Sequence, residues 1–238
     1  MTSPSTKKKF IQSIWNKSVQ EWFSNWSFLV ATVLSIAYTL WMGSPSDGPN
    51  TASISKSFDT VLTPAGFAFS IWGLIYFILI VIGILIGLGR VKLNSRGNIF
   101  YLLSCIWICL WSIFWTALDP VLSGLALTMI MGFNVATFGE LVESNQELLL
   151  TKPRFYHLVT SGFLVYVGWT IVAAVINITI ALKYGFGFSG LGISEDIWRW
   201  IVISFAIIIN ILFSKRVRNW TTLGVLAWAL FGIWVKSR

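Results

Sequence analysis

Apolar stretches alternate with short polar ones along almost the whole chain, and one after another they reach the length needed to cross a bilayer. A spanning helix takes about 20 mostly apolar residues. Seven stretches are candidates: 26–41, 64–88, 99–118, 121–142, 159–182, 197–213 and 220–235, of which the first and last are short. Longer polar sequence is confined to the first 25 residues and to 43–62, which leaves nothing for a soluble domain. The pattern predicts an all-α fold, a polytopic transmembrane helix bundle with seven spans. Ahead of the first span, Phe10, Ile11, Ile14, Trp15, Val19, Trp22 and Phe23 recur at helical spacing against Lys9, Gln12, Asn16, Lys17 and Glu21. That arrangement predicts an interfacial amphipathic segment over 1–25, with aromatic residues just beneath the lipid headgroups.

Composition agrees, with 56% hydrophobic and 11% charged residues. The net charge of +8 would suit nucleic acid if the basic residues shared a soluble face. They are spread between the spans instead, so no nucleic acid is expected and the lipid bilayer is the expected partner. With seven spans, twelve Lys and Arg residues fall on one side and five on the other: Lys56, Lys183, Arg199, Lys236 and Arg238. The positive-inside rule then predicts a cytoplasmic amino terminus and a carboxyl terminus on the opposite side.

Few residues offer reactive chemistry. His157 is the only histidine, and Cys105 and Cys109 are the only cysteines, too few for a structural zinc site, which usually takes four ligands. No carboxylate, lysine or histidine lies deep in a span, so ion pumping lacks its usual machinery. No catalytic residue and no required cofactor is expected. Asp196 is expected to cap a helix start. Gly83 and Gly87, in the second span, suit close helix contact. The deep polar residues are Asn134, Asn177 and Asn210, and interhelical hydrogen bonding accounts for Asn134 and Asn210.

Asn177 has different company. Tyr166, Trp169, Ala173 and Asn177 follow at steps of three, four and four along the fifth span and so share one face. Pro64 opens the second span at no cost in backbone hydrogen bonds, and Phe67, Phe69, Trp72 and Tyr76 follow it. Trp107, Trp111 and Trp115 form a third aromatic series. Interior indoles offer flat apolar surfaces with an N–H that needs a partner.

These residues carry a resemblance to the TspO/MBR family, the tryptophan-rich sensory proteins related to the translocator protein. The family opens its second helix with proline followed by aromatic residues, as at Pro64, Phe67, Phe69, Trp72 and Tyr76. Its fifth helix carries the series seen at Tyr166, Trp169, Ala173 and Asn177, with Val165 here in place of a proline. The resemblance covers 26–182 and implies a five-helix transmembrane unit there, with 183–238 as two additional transmembrane helices. It further implies a cavity beneath the 43–62 connection that binds a planar or hydrophobic small molecule, a tetrapyrrole such as porphyrin or haem, or a sterol-like lipid. Phe67, Phe69, Trp72, Tyr76, Trp111, Tyr166, Trp169, Ala173 and Asn177 are then the expected ligand-binding residues, with Lys56, Asp59 and Pro64 at the mouth. The expected role is receptor, sensor or carrier. A transporter of a small lipophilic solute and a structural assembly factor are the alternatives, light-dependent porphyrin breakdown ranks below them, and a homodimer is compatible with each.

Overall fold

The computed structural model describes residues 25–43, 51–58, 60, 62–188 and 190–238, and the expected amphipathic segment over 1–25 falls almost wholly outside them. The described residues are helical and contain no strand. In chain order the helices are α1 (Asn25–Met42), α2 (Thr51–Ser57), α3 (Ile71–Gly87), α4 (Ser95–Thr116) and α5 (Pro120–Ser144). They continue as α6 (Gln146–Thr151), α7 (Pro153–Ile180), α8 (Glu195–Val217) and α9 (Thr221–Lys236). A 3-10 turn, Gly66–Ser70, leads into α3, and a π turn, Ala181–Gly185, prolongs α7.

Local chemistry fixes many of the boundaries. Asp119 caps α5, accepting from the Val121 and Leu122 amides at 3.0 and 2.9 Å, with Pro120 in the first turn where no amide hydrogen is missed. Asn94 caps α4 through the Gly97 amide at 2.8 Å. At α8 the cap is Ser194 and not the expected Asp196: Ser194 holds an extended backbone and its hydroxyl faces the Ile197 amide. Asp196 sits inside the first turn, where its charge favours the helix dipole and pairs with Arg199 at 3.0 Å. α3 ends where Gly89 adopts the left-handed backbone that glycine takes without steric cost.

Among the described residues six helices are long and apolar enough to span: Asn25–Met42, Gly66–Gly87, Ser95–Thr116, Pro120–Ser144, Pro153–Gly185 and Glu195–Val217. The seventh expected span corrects to a shorter apolar helix. α9 has 16 residues, a rise of about 24 Å against a hydrocarbon core of about 30 Å.

α7 is the hub. Its apolar window is 67% buried against 11% for α1, because α3, α5, α8 and α9 all pack on it. A helix apolar all round suits such a position. α1 lies on the flank, where Gly83 and Gly87 of α3 leave room for Leu29 and Trp26. Phe28 stacks on Tyr101 at 3.6 Å, and the Tyr101 and Thr32 hydroxyls share a 2.6 Å hydrogen bond. On the far side α9 docks onto the start of the second span: the Ala65 amide donates to the Gly232 carbonyl, and the Trp228 indole to that of Ala68, both at 3.0 Å. Outward, Leu74, Phe77, Val81 and Ile84 on α3 and Phe205, Ile208 and Leu212 on α8 remain exposed at helical spacing, as side chains facing acyl chains would.

Candidate functional site

The aromatic series of the second, third and fifth spans meet at Trp72. Its ring lies 6.3 Å from Trp111, nearly parallel, and 6.4 Å from Trp169, edge-on. Tyr76 and Tyr166 stand 5.6 and 6.2 Å from the same ring. Phe69 packs edge-on against Trp169, and Trp111 stacks on Trp115 one turn along α4. Edge-to-face and offset arrangements of this kind are the favoured ones for aromatic pairs.

A cavity lies within this cluster. Phe69, Trp72, Trp111, Trp169, Ala173 and Asn177 wall it, and Trp115, Leu127, Ile176, Ile180, Ser55 and Pro64 complete the lining. The roof is α2, within the expected 43–62 connection: Ile54 and Phe58 are buried beneath it, and the Trp115 indole donates to the Thr51 carbonyl at 3.3 Å. None of the lining side chains is charged. The volume is about 30 Å³, room for a water molecule and little more.

Three buried polar atoms around this hollow have no hydrogen-bond partner: the indole nitrogens of Trp111 and Trp169 and the side-chain carbonyl oxygen of Asn177. The Asn177 amide nitrogen turns back onto its own helix, donating to Ala173 at 3.1 Å. Two donors and one acceptor are therefore held in a desolvated site, where an unmet polar group costs about 1–3 kcal/mol.

Other expected residues are placed elsewhere. Phe67 leaves the cavity and meets Trp228 and Phe231 of α9 edge-on at 5.4 and 5.7 Å. The reason is the 3-10 turn: at three residues per turn it aims Phe67 differently from an α-helix, and α9 covers that side. Tyr76 lines a smaller hollow of about 10 Å³ on the α1 side, with its hydroxyl 3.2 Å from Thr39. Tyr166 reaches the same hollow, and its hydroxyl stands 3.5 Å from that of Ser104. Ser104 donates to the Asn134 side chain at 2.7 Å, which makes Asn134 an interhelical link between α4 and α5. Asn210 differs from expectation, since its amide donates to Ala206 of its own helix. Lys56 is exposed at the end of α2 and does not line the cavity, while Asp59 lies outside the described residues.

Among the lining residues that sequence reasoning left off the site, Trp115 was within reach, one helical turn beyond Trp111. Leu127, Ile176, Ile180 and Ser55 carry no local signal. Among the described residues no group of three His, Cys, Asp or Glu is placed to hold a metal ion. Both cysteines are free thiols.

A family model described as TSPO-like protein matches residues 23–238, so the match continues through α8 and α9. No curated protein and no solved structure matches the chain.

Proposed function

The chain belongs to the TSPO-like protein family and is an integral multi-pass membrane protein, and from that premise we propose that the aromatic hollow binds a neutral, hydroxyl-bearing lipid of sterol-like shape. The protein acts as a receptor or carrier for that lipid. The observation that carries the reading is the set of three unpartnered polar atoms on Trp111, Trp169 and Asn177 around one uncharged cavity. A ligand hydroxyl both donates and accepts, so it satisfies the Asn177 oxygen and an indole N–H together. A tetrapyrrole offers the same indoles a flat face, but its carboxylates want cations, and this lining supplies none.

Ligand-sized sites run to about 300–1,000 Å³, an order of magnitude above the volume of this hollow. Binding therefore comes with an outward movement of its weakest wall. That wall is α2, a seven-residue helix seated on the ring ladder. The reading assigns no chemical step to the protein, only binding and release.

Titration of the protein in nanodiscs with dehydroergosterol, read as energy transfer from tryptophan, tests this. Saturable transfer is expected, lost in Trp72→Leu and Trp169→Leu variants that remain monodisperse. Unchanged affinity in both variants returns the indoles to a packing role. Tighter binding of protoporphyrin than of the sterol rejects the neutral ligand.

A further inference from the structure

Where α8 turns into α9 the chain builds a tight corner whose exposed side chains are basic. The Asn219 backbone amide donates to the Ser214 carbonyl at 3.1 Å and that of Arg218 to the Lys215 carbonyl at 3.4 Å. Carbonyls of the last turn of α8 are thereby met, and Arg218 closes the turn in the left-handed backbone, at φ 53° and ψ 39°. Glycine is the usual residue there, because a Cβ in that conformation crowds the following carbonyl. The Asn219 side chain clamps the corner: its oxygen accepts from the Thr221 amide and hydroxyl at 3.0 and 2.7 Å, and its nitrogen donates to the Ser161 hydroxyl of α7 at 2.8 Å. The Ser214 and Thr222 hydroxyls share a buried 2.8 Å hydrogen bond between α8 and α9.

This braced corner carries Lys215, Arg216 and Arg218, all exposed. Among the described residues none of the three makes a salt bridge or lies over an aromatic ring. The helix dipole accounts for Lys215 and Arg216 in the last turn. It does not account for an arginine at a left-handed position, where glycine costs less. Going into the bilayer from Lys215, Leu212, Ile208 and Phe205 follow at steps of three, four and three, on one face, and are 62, 54 and 57% exposed. From Lys215 to Phe205 the helix rises about 15 Å, half of a hydrocarbon core of about 30 Å, so the stripe runs the depth of one leaflet. Trp220, beside the cations, is exposed as well, a residue type that favours the headgroup level. Unpaired cations above a leaflet-deep apolar stripe match the two parts of one phospholipid, since guanidinium and ammonium groups both hold phosphate and the stripe receives a chain.

We propose that the α8–α9 corner binds an anionic phospholipid of the adjoining leaflet, with the phosphate on Arg218 and Lys215 and one acyl chain along Leu212, Ile208 and Phe205. The site does not depend on the aromatic hollow. Delipidated protein in detergent, titrated with dioleoylphosphatidylglycerol or dioleoylphosphatidylcholine and read by native mass spectrometry, tests it. The phosphatidylglycerol adduct is expected to form first and to saturate at one lipid. Arg218→Gly should weaken that adduct by about fivefold, the worth of one basic residue at an anionic surface. It should not lower the unfolding midpoint, since glycine takes this backbone without steric cost. Arg90→Gln removes an exposed cation from the α3–α4 turn at the same end of the bundle and should leave the adduct as it was. Leu212→Asn should weaken both lipids alike. A phosphatidylglycerol preference that survives Arg218→Gly, an equal loss in Arg90→Gln, binding indifferent to Leu212→Asn, or displacement of the lipid by millimolar inorganic phosphate overturns the proposal. If Arg218→Gly does not yield monodisperse protein, Lys215→Gln decides by the same criterion.

Discussion

Asn177→Leu separates a residue that holds the bundle together from one kept for a ligand. The Asn177 side chain makes one hydrogen bond, to the Ala173 carbonyl of its own helix, while its oxygen is buried without a donor. A leucine, with the same number of side-chain heavy atoms, gives up that bond, and hydrogen bonds inside membrane proteins average about 0.6 kcal/mol. It also removes the unmet oxygen, whose burial costs about 1–3 kcal/mol. The balance favours the variant by about 1 kcal/mol, roughly fivefold in the unfolding equilibrium. The same change removes the acceptor offered to a ligand hydroxyl, so sterol affinity falls by roughly fivefold to tenfold, the worth of about 1–1.5 kcal/mol. Denaturant titration in bicelles gives the first quantity and dehydroergosterol titration the second. An empty protein destabilised by the substitution, or a sterol affinity left where it was, refutes the assignment of Asn177 as a ligand handle.

Ser104→Ala acts in the opposite sense. It leaves the buried Asn134 oxygen without its donor between α4 and α5, lowers stability by about 1 kcal/mol, and leaves sterol affinity unchanged in the same pair of titrations. Gly232→Val tests how α9 is seated. A Cβ there would lie 2.9 Å from the Ala68 Cβ and 3.1 Å from the Pro64 Cβ, so overpacking costs about 1–3 kcal/mol and should appear as a lower unfolding midpoint. Gly87→Leu drives a side chain into the Trp26 ring, which stands 2.6 Å from the position of a Cβ. It should loosen α1, read as faster amide exchange along that helix, while Gly73→Ala, at a glycine with no such neighbour, has no effect of that kind.

What the sequence by itself determined is whatever depends on neighbours a turn or two apart. Long apolar runs must be helices, since only internal hydrogen bonding satisfies a backbone in lipid. Gly83 with Gly87 opens a groove for a neighbouring helix. Trp169, Ala173 and Asn177 share a face because they lie four residues apart. Tertiary structure alone decided which of those faces meet. Phe67 belongs to the same aromatic series as Phe69, yet a 3-10 turn and the docking of α9 carry it to the opposite side. The Tyr166 hydroxyl lies toward Ser104, 62 residues away, and no local spacing reveals that encounter. Arg199 and Lys183 line one cavity because α8 returns beside the π turn of α7. Even the size of the aromatic hollow follows from how closely Trp72, Trp111 and Trp169 settle against one another, since side-chain period fixes direction and only packing between helices fixes distance.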